Sequence, residues 1–176
     1  MSAATPGSIS LTGLTAGTAY KLNFVAQDWA NNRQAAIGSV AVTTAAADTT
    51  PPTTTAAPTL SSSPTARTAG ISVTINEAGT GYWLLVPSAA TAPTSEQVVA
   101  GVNYAAVTVV RSGNTAMAAA TPASISLSGL TPSTAYKLYF VAKDLANNQQ
   151  ASPSSVAVTT AAQSTDLTPI LMLLLD

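Results

Sequence analysis

The sequence contains no cysteine and no histidine, and only 7% of its 176 residues are charged. Without cysteine, disulfide stapling and thiol chemistry are excluded. Without histidine, the commonest general base and the commonest metal ligand are missing. Six Lys and Arg against seven Asp and Glu leave a net charge of -1. A basic stripe that neutralises phosphates cannot be assembled from so few scattered cations, so nucleic acid is excluded as a partner. Long apolar runs are also missing. The densest, residues 170–175, has six residues, whereas a membrane span needs about 20, so no span is expected within the chain. Met1-Ser2-Ala3-Ala4 has neither the basic nor the apolar region of a secretory signal. An export signal, if the protein is exported, is expected outside this sequence.

What is present is 47% hydrophobic residues, led by Ala with Val and Leu behind it, and mixed with Ser and Thr. Low charge marks some disordered tracts, but disorder usually needs low hydrophobicity as well. This mixture instead suits thin, strand-rich modules with small side chains.

An internal repeat organises the sequence. Residues 4–46 match residues 120–162 at 32 of 43 positions, at a constant offset of 116 (120 − 4). The period is that of a whole domain with its linker. Residues 1–46 are therefore expected to be a partial β-sandwich module comprising only the last strands. Residues 47–58 are read as a Thr/Pro-rich linker, because Pro and Thr favour an extended spacer. Residues 59–162 are read as one complete module. Residues 163–176 form a tail, read as the start of a further linker or a truncated apolar segment, since Asp166-Leu167-Thr168-Pro169 echoes Asp48-Thr49-Thr50-Pro51. Met1 falls opposite Met117, inside the complete module, and is read as a truncated or misassigned start. In the partial module Ile9, Leu11, Leu14, Tyr20, Leu22, Phe24, Val40 and Val42 lack an opposing sheet. Burying each is worth roughly 1.5–3 kcal/mol, so this segment is expected to be loose or to borrow a partner surface.

In the complete module, period-2 alternation marks half-buried strands. A short edge strand is predicted at Leu60-Ser61-Ser62-Ser63, and others at residues 71–76, 82–86, 106–110, 124–127, 136–143 and 156–158. Ala78-Gly79-Thr80-Gly81 reads as a turn, and Trp83 is the candidate core indole. Thr94 and Gln97 form a capping-box pattern before Gly101, which predicts one short helix near residues 95–100. Along the penultimate strand Tyr136, Leu138, Phe140 and Ala142 share one face, while Lys137, Tyr139, Val141 and Lys143 share the other. The repeats differ here at Asn23/Tyr139 and Gln27/Lys143, both in the second set. The fold class is thus all-β, an antiparallel immunoglobulin-like β-sandwich.

Leu130-Thr131-Pro132-Ser133-Thr134-Ala135-Tyr136 resembles the Leu-x-Pro-x-Thr-x-Tyr element of fibronectin type III domains. Asp144-Leu145-Ala146-Asn147-Asn148 is similar to the Asp-x-Ala-Gly-Asn turn of their bacterial members, with Asn147 in place of Gly. Asn76-Glu77-Ala78-Gly79-Thr80-Gly81-Tyr82-Trp83 resembles repeats of large bacterial surface and adhesin-like proteins. The resemblance implies a fibronectin type III-like sandwich in which the Tyr136 hydroxyl bonds back to upstream backbone.

Catalytic constellations do not emerge. Serines have no histidine base and no Ser-x-x-Lys motif. Glu77, Glu96 and Asp144 each have a structural explanation: two turns, and a helix first turn where negative charge suits the dipole. Asp144 with Asn147 and Asn148, and Asp28 with Asn31 and Asn32, offer oxygens for calcium, but Asx-type turns use the same residues and are favoured. No enzyme activity and no cofactor are expected. The candidate binding surface comprises Trp29, Tyr139, Asp144, Asn147 and Asn148: aromatics placed on a turn or an outward strand face, and end-loop polar groups. The leading expectation is a structural spacer in an extracellular or cell-surface bacterial protein, partnered by neighbouring modules of its own chain. One alternative is an adhesive or carbohydrate-binding module with a glycan or protein ligand. The other is an accessory module of a secreted hydrolase whose catalytic domain lies elsewhere.

Overall fold

A computed structural model of the chain describes residues 7–164. It divides into two compact units, one ending at Asp48 and the other beginning at Thr49. The expectations for Met1 and for the tail from residue 165 onward lie outside the described residues.

The first unit is built on one antiparallel hairpin, β1 (Ala19–Phe24) and β2 (Gly38–Thr43). Its register pairs Tyr20 with Val42, Leu22 with Val40 and Phe24 with Gly38.

The second unit is an antiparallel β-sandwich. One sheet has the order β3 (Thr54–Leu60), β4 (Ala69–Ile75), β7 (Ala123–Leu127). The other has the order β6 (Arg111–Met117), β5 (Gly79–Pro87), β8 (Ala135–Asp144), β9 (Ser154–Thr159). The alternation in β4 sends Ala69, Ile71, Val73 and Ile75 inward, where they meet Leu85, Ile125, Leu127, Leu138, Phe140 and Val158. That cluster draws on both sheets, so it is the inter-sheet core. Phe140, at 0% exposure, is its largest fully buried side chain. Trp83 packs on this core from its margin, half-buried, rather than at its centre.

A second apolar cluster lies on the opposite face of the four-stranded sheet. Leu84, Val86, Tyr139 and Val141 are covered there by Val98 and Tyr104. Both covering residues belong to the β5–β6 connection, which contains helix α1 (Ser95–Ala100). The capping box forms as the sequence predicts: Thr94 Oγ1 accepts from the Gln97 N–H at 3.3 Å, and Gln97 Oε1 accepts from the Thr94 N–H at 2.9 Å. Gly101 ends the helix at φ 66°. The lid is closed on itself by the Tyr104 hydroxyl, which donates to the Thr91 carbonyl at 2.6 Å. The connection is also tied to the sheet by Ser112 Oγ, which donates to the Gly101 carbonyl at 2.7 Å. Strands β5 and β8 are consequently buried on both faces.

Four local expectations are corrected. Strand β3 occupies residues 54–60, so that the last five residues of the stretch read as linker are strand, and it ends where the first strand was expected to start. As an edge strand it accommodates Pro58, which has no N–H to donate, and its pairing with β4 shifts register twice. Gly79 and Gly81 belong to β5 rather than to a turn. They are glycine because the partners approach closely: a Cβ at Gly79 would lie 2.1 Å from the Lys143 carbonyl oxygen, and one at Gly81 would lie 2.5 Å from the Phe140 ring. Residues 106–110 do not form a strand; the polar stretch that follows, Arg111–Met117, pairs with β5 along seven positions. An edge strand seated on a neighbour needs no apolar alternation of its own, and Gly113 leaves room for the Trp83 ring, 2.6 Å from where a Cβ would stand. Tyr139, finally, points away from the inter-sheet core as its parity requires, but the lid leaves it only 6% exposed.

Candidate functional site

The last hairpin of each unit carries the same two devices. At its start a tyrosine closes the preceding loop: the Thr131 N–H donates to the Tyr136 hydroxyl at 3.1 Å, and the Thr15 N–H donates to that of Tyr20 at 2.9 Å. Burial pushes the Tyr136 hydroxyl up, but hydrogen bonds from Thr131 and Thr134 and the nearby Arg111 charge outweigh it and hold its pKa below the ordinary value.

At its far end each hairpin turns through an Asp-x-Ala-Asn-Asn segment. Asp144 Oδ1 accepts from the Asn148 N–H at 2.8 Å, and Oδ2 accepts from Asn148 Nδ2 at 2.6 Å. Asp28 repeats the pattern with Asn32 at 2.8 and 2.9 Å and accepts from the Ala30 N–H at 2.9 Å. Asn147 at φ 70° and Asn31 at φ 66° occupy the left-handed region that Asn tolerates. Burial raises the Asp144 carboxyl, but the Asn148 side chain and the backbone N–H groups of Asn148, Ala146 and Asn147 more than reverse this and lower its pKa. Both oxygens of each Asp are thus engaged by their own turn, as an Asx-type turn requires.

The residue after each Asp stands on the tip. Trp29 is 105% exposed and Leu145 is 83% exposed. Of the five candidate residues, Asp144, Asn147 and Asn148 come together as the scaffold of the second turn, Trp29 stands free on the first, and Tyr139 lies beneath the lid. Leu145 is displayed where Trp29 is in the first copy. Its signal was available in the sequence, since the repeat alignment puts the two at the same position. Beside the second turn a shallow, largely apolar depression is lined by residues 50–54 and by Gln150, Ala151 and Ser152. Gln150 links the two features: its Oε1 accepts from the Ala142 N–H at 2.8 Å, and its Nε2 donates to Thr54 Oγ1 at 2.9 Å.

One juxtaposition was not visible in the sequence. Glu77 and Asp144 bring carboxylate oxygens within 4.8 Å of each other. A glycosidase pair has a similar separation, but one of its members must hold a proton near neutral pH. Asp144 is shifted the other way, and Glu77 Oε1 accepts from Asn76 Nδ2 at 3.3 Å.

No family model matches the chain. Over 157 residues it is 32% identical to chitinase A1 of Niallia circulans, a match that covers 89% of this chain and 20% of that protein. Over 164 residues it is 34% identical to exoglucanase B of Cellulomonas fimi, covering 92% of this chain and 13% of that protein. The chain spans a fifth or less of the length of these relatives. Both matched stretches exceed the 116-residue repeat period, so each extends over more than one module length.

Proposed function

We propose that the chain is a non-catalytic accessory segment of an extracellular polysaccharide-degrading enzyme, serving to space other domains. The observation that carries this reading is the shared segment itself. Nearly all of this chain resembles a small part of a chitinase and a small part of an exoglucanase. Those names denote different polymers, so a segment common to both is poorly suited to choosing between them. Chitin and glucan polymers are too large to enter a cell, which supports an extracellular setting. The leading expectation of a spacer is retained, and its parent is narrowed from a surface or adhesin-like protein to a hydrolase. A fibronectin type III-like identity for the second unit is supported by its three-plus-four strand arrangement and by the Tyr136 corner.

A second reading is favoured by one feature. Trp29 stands fully exposed on a turn whose backbone is fixed by Asp28. A rigid, solvated indole is a suitable platform for a sugar face. Co-sedimentation of the full chain with insoluble chitin and with cellulose separates the two. The spacer reading expects the chain to stay in the supernatant. Retention on either polymer that disappears in Trp29→Ala, with unchanged circular dichroism, would replace spacer with carbohydrate binder.

A further inference from the structure

The two Asp-x-Ala-Asn-Asn turns differ at one position: Asp28, Ala30, Asn31 and Asn32 match Asp144, Ala146, Asn147 and Asn148, and Trp29 stands opposite Leu145. In the first turn the polar side chains are committed to the loop itself. Asp28 accepts from the Asn32 and Ala30 N–H groups and from Asn32 Nδ2, and Asn31 Oδ1 accepts from Gln27 Nε2 at 2.7 Å. The indole is left as the large group that the turn displays, at 105% exposure. This display belongs to the turn and not to the exposed hairpin beneath it. Leu145 stands at the same point of a closed sandwich and is 83% exposed. A protein-binding hot spot sits inside a ring of contacts that excludes water, and Ala30, Asn31 and Asn32 offer no such ring. A flat apolar face in water, with one N–H donor at its edge, matches a pyranose instead. The axial C–H groups of the sugar stack on the indole while its equatorial hydroxyls stay solvated.

We propose that the Trp29 turn is a subsite for one ring of a single soluble strand of β-linked pyranoses, and that the second turn lacks it because Leu145 has no flat face. This rests on the platform reading of Trp29 and narrows it from a polymer surface to a loosened strand. In β-linked chains of glucose or N-acetylglucosamine the ring substituents are equatorial, so each ring offers an unbroken C–H face to the indole. In α-linked glucose chains the axial link interrupts one face. One indole on a projecting turn covers about one ring, roughly 12 heavy atoms, which at ordinary efficiency per atom gives a Kd on the order of 1–10 mM. Retention on an insoluble polymer takes several such contacts acting together. A strand is therefore held briefly beside the segment, and the segment is not anchored by it, which leaves the spacer role in place.

The full chain has two tryptophans, and Trp83 is half-buried against the inter-sheet core. Their indole Nε1–H signals therefore report separately in an NMR titration. With cellotetraose or chitotetraose the Trp29 signal is expected to shift and saturate, with a half-point on the order of 1–10 mM, while the Trp83 signal stays in place. Maltotetraose should move neither. Trp29→Leu, which installs the residue of the second turn, should abolish the response. Leu145→Trp added to Trp29→Leu should restore it from the second unit, where the stability of the first unit plays no part. The proposal is overturned by a Trp29 signal that ignores both β-linked sugars up to about 20 mM, by an equal shift with maltotetraose, or by a transplanted indole that stays still. Retention of the chain on insoluble chitin or cellulose without any shift by the tetraoses sinks the single-strand subsite and leaves the platform reading standing. A shift in a chain that remains in the supernatant supports the subsite alongside the spacer.

Discussion

The Phe24 ring lies on its cross-strand partner Gly38, so close that a Cβ there would stand 2.5 Å from the ring. The equivalent ring, Phe140, faces Ser154 across the hairpin and lies against Gly81 of β5, again 2.5 Å from where a Cβ would be. The same side chain thus rests within its own hairpin in one unit and reaches across to a neighbouring strand in the other. A small residue on the receiving strand makes either position available.

The two glycines should respond differently to alanine. At Gly81 the new methyl meets the Phe140 ring and Met117 Sδ, 2.7 Å away, inside a filled core. Gly81→Ala is expected to destabilise the second unit by ~1–3 kcal/mol, the usual range for overpacking. At Gly38 the ring is half exposed and free to swing outward, so Gly38→Ala should leave the melting profile nearly unchanged. Thermal denaturation of both variants checks the contrast.

Removing the tyrosine hydroxyl at the corner strands a donor. Tyr136→Phe leaves the Thr131 N–H without its partner in a site where Tyr136 is 4% exposed. The expected loss is ~1–3 kcal/mol. Tyr20→Phe removes the matching bond in an exposed setting, where water replaces it. It should cost well under half as much, as read by urea denaturation.

Copying the first repeat into the lid tests what Tyr139 does. Tyr139→Asn places a polar group between Val98, Tyr104 and the sheet. A loss of ~2–5 kcal/mol is expected from lost burial and cavity formation. Amides of Ser95–Ala100 should exchange faster even where the inter-sheet core remains protected.

Acid should loosen the β8–β9 turn. Because the Asp144 pKa is lowered in the folded state, its contribution to stability is fully present above the unfolded value of ~3.9. It is lost as pH falls from there through the folded value. The melting temperature should therefore decline below about pH 4, and Asp144→Asn should flatten part of that decline while lowering stability at pH 7. Asp28 is lowered by the same Asn hydrogen bonding, so the first turn should follow the same direction. Melting curves from pH 7 to pH 2.5 measure both.

Much of the chain is decided locally. Alternation assigns the inward face of β8 as Tyr136, Leu138, Phe140 and Ala142, and all four are in the core. The capping box needs only Thr94 and Gln97 at the right spacing, and the Asp-x-Ala-Asn-Asn turns close with their own side chains. Such features depend on neighbours a few residues away, and the sequence alone carries them. Other features depend on which strand lies alongside. Ser-Ile-Ser-Leu is β-strand at residues 124–127, where β4 pairs with it, yet the same four residues at 8–11 are not strand. Gly79 and Gly81 read as a turn until β8 and its Phe140 ring are brought against them. Tyr139 reads as a surface aromatic until Val98 and Tyr104, from the connection before β6, fold over it. A strand needs a partner for its backbone hydrogen bonds and a side chain needs a covering atom to leave water. Tertiary structure alone supplies both.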